Sequence, residues 1–453
     1  MPKVQALAAS YDLTKGNPYK AIIKFALPIL LSQTFQQLYN TADSLIVGHF
    51  HGTDGLAAVS SSGTLIFMMI SFFEGLFMGA GVLISRCFGE KDKEGVSRAV
   101  HTDIAIGLVS GVVLTIVGMI FTPTFLRWMK TDVDVLPDAI EYFRYFFAGS
   151  LALVMYNVCR GILTAVGDSR RPLIYLIISS LTNIVLDTLF IGGFGWGVWS
   201  AAVATVISQA LSATLCIIHL LRPGSPVSVR IRDIRFHRSA AVKIVRYGLP
   251  SGIQNSVIAF ANIIVQTQIN SFRKVATAAF GTHAKIEGFA FLPITSFNMA
   301  ITTFIGQNLG AREYGRAKKG ARFGILLAIG MAELVGVVYF IFAKPLTGMF
   351  DSNPAVISLG VTQAHITTLF YCLLAYSHSV AAVCRGAGKA FVPMSVMLSV
   401  WCVFRIIYIY TVMHFSGDIK LIYWAYPITW AISSVIYFLY YHFSDWVHGF
   451  EKK

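Results

Sequence analysis

The sequence predicts an all-α integral membrane protein, with twelve transmembrane helices in two six-helix bundles related by a pseudo-two-fold along the membrane normal. Three observations predict it. The first is composition: of 453 residues, 55% are hydrophobic and 13% charged, with a mean hydropathy of +0.66. A soluble domain carries about 25% charged residues. The second is spacing: a span needs roughly 20 apolar residues, and twelve such runs occur. They fall near 20–47, 55–85, 99–121, 137–163, 172–193, 197–221, 241–270, 277–306, 320–343, 354–385, 391–414 and 420–443. The third is repetition. Ala26-Leu27-Pro28 matches Gly248-Leu249-Pro250 at an offset of 222 residues. Phe88-Gly89-Glu90 and Leu309-Gly310-Ala311 stand 221 apart, as do the GDSRRP run Gly167–Pro172 and the GKAFVP run Gly388–Pro393. An even number of spans per repeat gives both repeats the same orientation.

Charge fixes the orientation. Of 36 Lys and Arg residues, 27 fall in loops on one side and 6 on the other, which puts both termini in the cytoplasm of a multi-pass inner-membrane protein. Pro2–Tyr19 is polar and mixed, unlike a cleavable leader. The formal charge of +14 is dispersed among short loops, so nucleic acid is not an expected partner and membrane lipids are. The longest hydrophilic stretch, Arg222–Arg246, carries seven positive charges. It predicts a cytoplasmic basic linker at 222–240, touching anionic headgroups, between an N-terminal lobe at 1–221 and a C-terminal lobe at 241–453. The six cysteines form no C-x-x-C pair, so neither a disulfide framework nor a metal knuckle is expected. No catalytic set and no G-x-x-x-x-G-K-[ST] run is present, so the expected energy source is an ion gradient, with no enzyme activity and no cofactor.

The first span carries the strongest polar signal. Gln33, Gln36, Gln37, Asn40 and Asp43 recur at steps of three and four, on one face. A carboxyl in lipid costs about 2.5–3.5 kcal/mol on insertion scales, so this face must meet a wet or polar interior. Pro28 removes a backbone donor one segment below and predicts a bend or hinge. Asn183 and Asp187, four apart in the fifth span, share a face. In the second half, Glu287 reads either as a carboxylate facing a cavity or as half of an interhelical ion pair, with Lys285 as a candidate partner. Arg405, in the aromatic run WCVFRIIYIY, is expected to snorkel or pack against rings.

The duplication, the first helix with Leu27-Pro28, Asp43 and Val47-Gly48, and the runs Arg160–Pro172, Gly306–Ala311 and Arg385–Pro393 together resemble the multidrug and toxic compound extrusion (MATE) transporters, over about residues 15–443. The resemblance implies a monomeric secondary exporter of cationic drugs or dyes, driven by protons or sodium. A flippase of lipid-linked oligosaccharide, from the wider superfamily, is the alternative. The resemblance also implies a cation site at Asp43, Asn183, Asp187 and Thr205, with Tyr39 and Asn157 beside it. Sodium or a proton would sit at Asp43 and Asp187; Gln36, Asn40, Glu287 and Met155 are the expected substrate contacts. The cation site is the pattern of one branch of the family; the acids that the other branch keeps in the seventh and tenth spans are missing here.

Overall fold

A computed structural model describes residues 12–128, 134–222 and 227–450, with the side chains of 52–69 outside the description. Among the described residues every regular element is helical. In order these are α1 Pro18–Gly89, α2 Lys93–Trp128, α3 Leu136–Ala148, α4 Ser150–Ala165, α5 Arg170–Asp187, α6 Trp199–Leu221, α7 Arg238–Asn270 and α8 Arg273–Gly310. There follow α9 Tyr314–Ile341, α10 Ala343–Gly348, α11 Pro354–Thr367, α12 Tyr371–Gly386, α13 Phe391–Val396, α14 Arg405–Phe415 and α15 Ile419–Phe443. Among the described residues, ten helices are long and apolar enough to cross a membrane. They become eleven when α3 and α4, bent by 48° at Gly149, count as one span.

The helical run α1 is too long to be one rod, since 72 residues would reach about 108 Å. Its contacts show it turning back. Tyr39 Oη accepts from Gln209 partway down α6, and His51 meets the Trp196 carbonyl at that helix's beginning. Ser85 Oγ donates to the Ala165 carbonyl, just before α5 begins, 3.1 Å away. The chain thus climbs from Tyr39 to His51 and has reversed by Ser85, as two spans require.

The helix starts follow local chemistry. Asp168 caps α5 by accepting from the Arg170 and Arg171 amides, and pairs with the Arg171 guanidinium at 2.7 Å. Gly167 before it, and Gly388 in the matching run, both adopt a left-handed conformation, with φ of +94° and +74°. The GDSRRP and GKAFVP runs are therefore turns. Asn353 and Asp418 likewise cap α11 and α15.

The chain forms two compact units. Unit 1 holds Leu31–Gly252, and unit 2 holds Leu13–Leu30 and Ile253–Lys453. Two segments therefore fall across the expected lobe division: the lower part of α1 joins unit 2, and the first part of α7 joins unit 1. In unit 1, the glycines Gly75 and Gly79 let α1 touch the α7 backbone at Gly252 and Gly248; a Cβ on either would collide with it. The basic linker is more than a solvated connector. Val227 and Val229 are buried in the unit 1 core. His101 donates from Nδ1 to the Ser97 carbonyl at 2.7 Å and accepts the Arg230 amide on Nε2 at 3.1 Å. Thr102 Oγ1 accepts the His237 amide. In unit 2, the Gly306–Ala311 run ties down the incoming chain. Gln307 Oε1 accepts the Leu13 amide at 3.1 Å, Asn308 donates to the Leu13 carbonyl, and Arg316 donates to the carbonyls of Leu13, Lys15 and Gly16.

Candidate functional site

The polar centre of unit 1 is built by two helices. On α1, Tyr39 and Asp43 are one turn apart; on α5, Asn183 and Asp187 are too. Asp43 is 8% exposed and Asp187 0%. Their carboxyl groups are close enough to act on each other electrostatically. Among the described residues, no Lys, Arg or His side chain is among the groups acting on either acid. Asp43 Oδ1, both Asp187 carboxylate oxygens and both polar atoms of Asn183 are buried without a hydrogen-bond donor or acceptor among the described residues. Two carboxylates held together away from water do not both ionise cheaply, so such a pair holds one proton between them or one cation. Carboxylate and amide oxygens are hard ligands, so these residues fit a small cation as well as a proton.

Sequence reasoning missed two members. Gln209 on α6 is buried, donates from Nε2 to Tyr39 Oη at 3.4 Å, and leaves its Oε1 without a partner. Tyr142 on α3 is buried within electrostatic reach of Tyr39, Asp43 and Asp187. Neither stands out in the sequence, because Tyr142 lies among Glu141 and Arg144, Gln209 among Ser208 and Ser212, and the groups they meet are on other helices. Immediately after Asp187, Thr188–Gly193 winds as a π-helix, a distortion frequent at functional sites.

The other expected residues spread out. Thr205 is half-buried on α6, one turn before Gln209, and makes no hydrogen bond to either acid. Asn157 donates to the Leu153 carbonyl of its own helix. Met155 is buried in the unit 1 hydrophobic core. Gln36 is half-buried and Asn40 exposed, both on α1. Pro28 is buried in unit 2, two residues before the chain passes to unit 1.

Unit 2 has its own polar centre. Glu287, half-buried on α8, accepts from Tyr371 Oη at 3.4 Å. Lys285 is exposed, and the cation that acts on Glu287 is Arg405. Arg405 is 2% exposed. It packs against rings, with its guanidinium carbon 5.0 Å from the Trp401 ring centre and 4.5 Å from that of Tyr426. Nearby, His283 bonds Tyr339 at 2.9 Å and Thr367 at 3.4 Å.

These features define a multi-pass membrane protein with buried charge inside each unit, and comparison with known proteins gives the class. The MatE family profile matches residues 28–189 and again 250–411, the second copy displaced by 222 residues (250 − 28). The probable multidrug resistance protein YoeA of Bacillus subtilis (strain 168) is 28% identical over 440 residues, 95% of each chain. A MOP superfamily transporter from Pyrococcus furiosus has a fold similar at a TM-score of 0.91, with 25% identity over 98% of this chain and 99% of that one. The outward-facing structure of a multidrug resistance MATE family transporter is similar at a TM-score of 0.88, with 26% identity over 95% and 96%. The chain belongs to the MatE family of membrane transporters.

Proposed function

We propose that the protein is a secondary active exporter of small organic cations, exchanging them for protons or sodium across the cytoplasmic membrane. The observation that carries this reading is the buried Asp43–Asp187 pair, which has no basic partner among the described residues and whose Asp43 stands on the helix that also holds Pro28. A proton or sodium ion entering this pair removes like-charge repulsion, and its free energy biases α1 about Pro28. Drug and cation then favour different states, which makes the coupling reciprocal. Twelve spans in two lobes, with both termini cytoplasmic, would alternate access by rocking. The name of the relative YoeA, a probable multidrug resistance protein, supports a role toward drugs. A flippase of lipid-linked oligosaccharide would call for basic residues where unit 1 has paired acids.

The test is drug-driven proton or sodium movement in proteoliposomes, under imposed pH and sodium gradients applied separately. Asp43→Asn should abolish counter-ion movement in a folded protein. Unchanged exchange would sink the proposal.

A further inference from the structure

Two neighbouring side chains seat the basic linker on α2, and only one of them can take up a proton. Thr102 Oγ1 accepts the His237 amide at 3.2 Å. One residue earlier, His101 Nε2 accepts the Arg230 amide at 3.1 Å. Because Nε2 accepts, the imidazole is neutral and carries its proton on Nδ1, which donates to the Ser97 carbonyl at 2.7 Å. His101 is 2% exposed, while Arg230 is exposed. The seat therefore lies at the rim of the unit 1 core.

The remaining contacts of the seat do not titrate. Val227 and Val229 are buried in the unit 1 core, and Ile234 packs against it. The Val229 amide donates to the Leu220 carbonyl near the end of α6, 2.9 Å away. The charged groups gathered around the imidazole are Arg98, one turn before it on α2 and paired with Glu94, and Arg230, Asp233, Arg235 and His237 on the linker. Asp103, two residues on, lies on another face of α2. A protonated imidazole has two donors and no acceptor. It would aim a donor at the Arg230 amide, amid a net positive surround. The seated linker therefore excludes a proton that the unseated one admits, and acid favours unseating.

We propose that His101 is a proton-operated catch: protonation at Nε2 ejects the Arg230 amide and releases the linker from α2. The segment set free leads straight into α7, which starts at Arg238 and packs its Gly248 and Gly252 on Gly79 and Gly75 of α1. Acid on the linker's side of the membrane thereby loosens the entry to α7. The catch is separate from the Asp43–Asp187 pair and does not depend on reading the chain as an exporter.

The experiment is hydrogen–deuterium exchange of the full chain in lipid nanodiscs, without substrate. Mass spectrometry follows Val227–His237, with rates corrected for chemical exchange at each pH. A free imidazole titrates near pH 6.5, so protection of the Arg230 amide should fall roughly tenfold between about pH 7.5 and about pH 5.5. His101→Gln keeps a donor and an acceptor but does not titrate, and should hold its protection across that range. Thr102→Val should lower protection by the same factor at both pH values, because the bond it removes takes up no proton. Constant wild-type protection overturns the proposal, and so does a fall that His101→Gln leaves intact. Should His101→Gln lose the seat at both pH values, His219→Gln and His237→Gln decide. A fall that disappears in either variant belongs to that histidine and overturns the proposal; a fall that survives in both supports His101.

Discussion

Pro28 stands two residues before the chain passes from unit 2 to unit 1, and Pro250 two residues before it passes from unit 1 to unit 2. Each lies inside a helix, α1 or α7. A proline there removes one backbone hydrogen bond and crowds the carbonyl four residues earlier, which softens the helix at that point. The repeat places a soft point wherever a helix changes unit.

Pro28→Ala should therefore stiffen α1. Restoring the bond gains up to about 3 kcal/mol of local helix stability, so the melting temperature should hold or rise while exchange slows. Calorimetry and counterflow of tetraphenylphosphonium, measured on one preparation, check this. Unchanged exchange would remove Pro28 from the moving part.

Asp187→Asn gives Asp43 a neutral amide neighbour and removes the like charge. The protein should fold at least as well as wild type. Coupling between drug and ion should fall by about tenfold or more, in the usual range of coupling energies. The readout is the pH dependence of tetraphenylphosphonium affinity, which should flatten.

Gly79→Leu drives a side chain into the backbone of Gly248. Overpacking of this kind costs about 1–3 kcal/mol or more, and here the obstacle is main chain, which has little room to give. The melting temperature should drop sharply. Gly81→Ala is the matched control, because a methyl group there meets nothing within 4 Å.

Gln307→Ala and Arg316→Ala should release Leu13–Gly16 from unit 2. Each lost hydrogen bond costs about 1 kcal/mol, and the loss is local, so global melting should change little. Limited proteolysis near Lys15 should speed up. Resistance equal to wild type would show that other contacts hold the segment.

Much of the site was legible because burying charge in lipid is costly. Asp43, Asp187 and Asn183 stood out as polar residues at helical spacing in apolar runs, and the structure brings the two acids together. Tyr142 and Gln209 were not legible, because the groups they meet lie on other helices, far away in sequence. Arg405 was expected either to snorkel or to pack on rings, and it packs on rings. Its action on Glu287 was not legible, since 118 residues (405 − 287) separate them.

The sequence by itself determined the membrane class, the helical fold and the duplication, because hydropathy and an internal repeat are properties of residue order. Tertiary structure alone decided where the units divide. The runs 20–47, in α1, and 241–270, in α7, each read as one continuous span, and only packing sends the two parts of each to different units. It also turned motifs into roles: GDSRRP into a capped turn and Gly306–Ala311 into an anchor for the incoming chain. Those roles depend on which backbone groups fold within bonding distance, and spacing along the chain does not encode that.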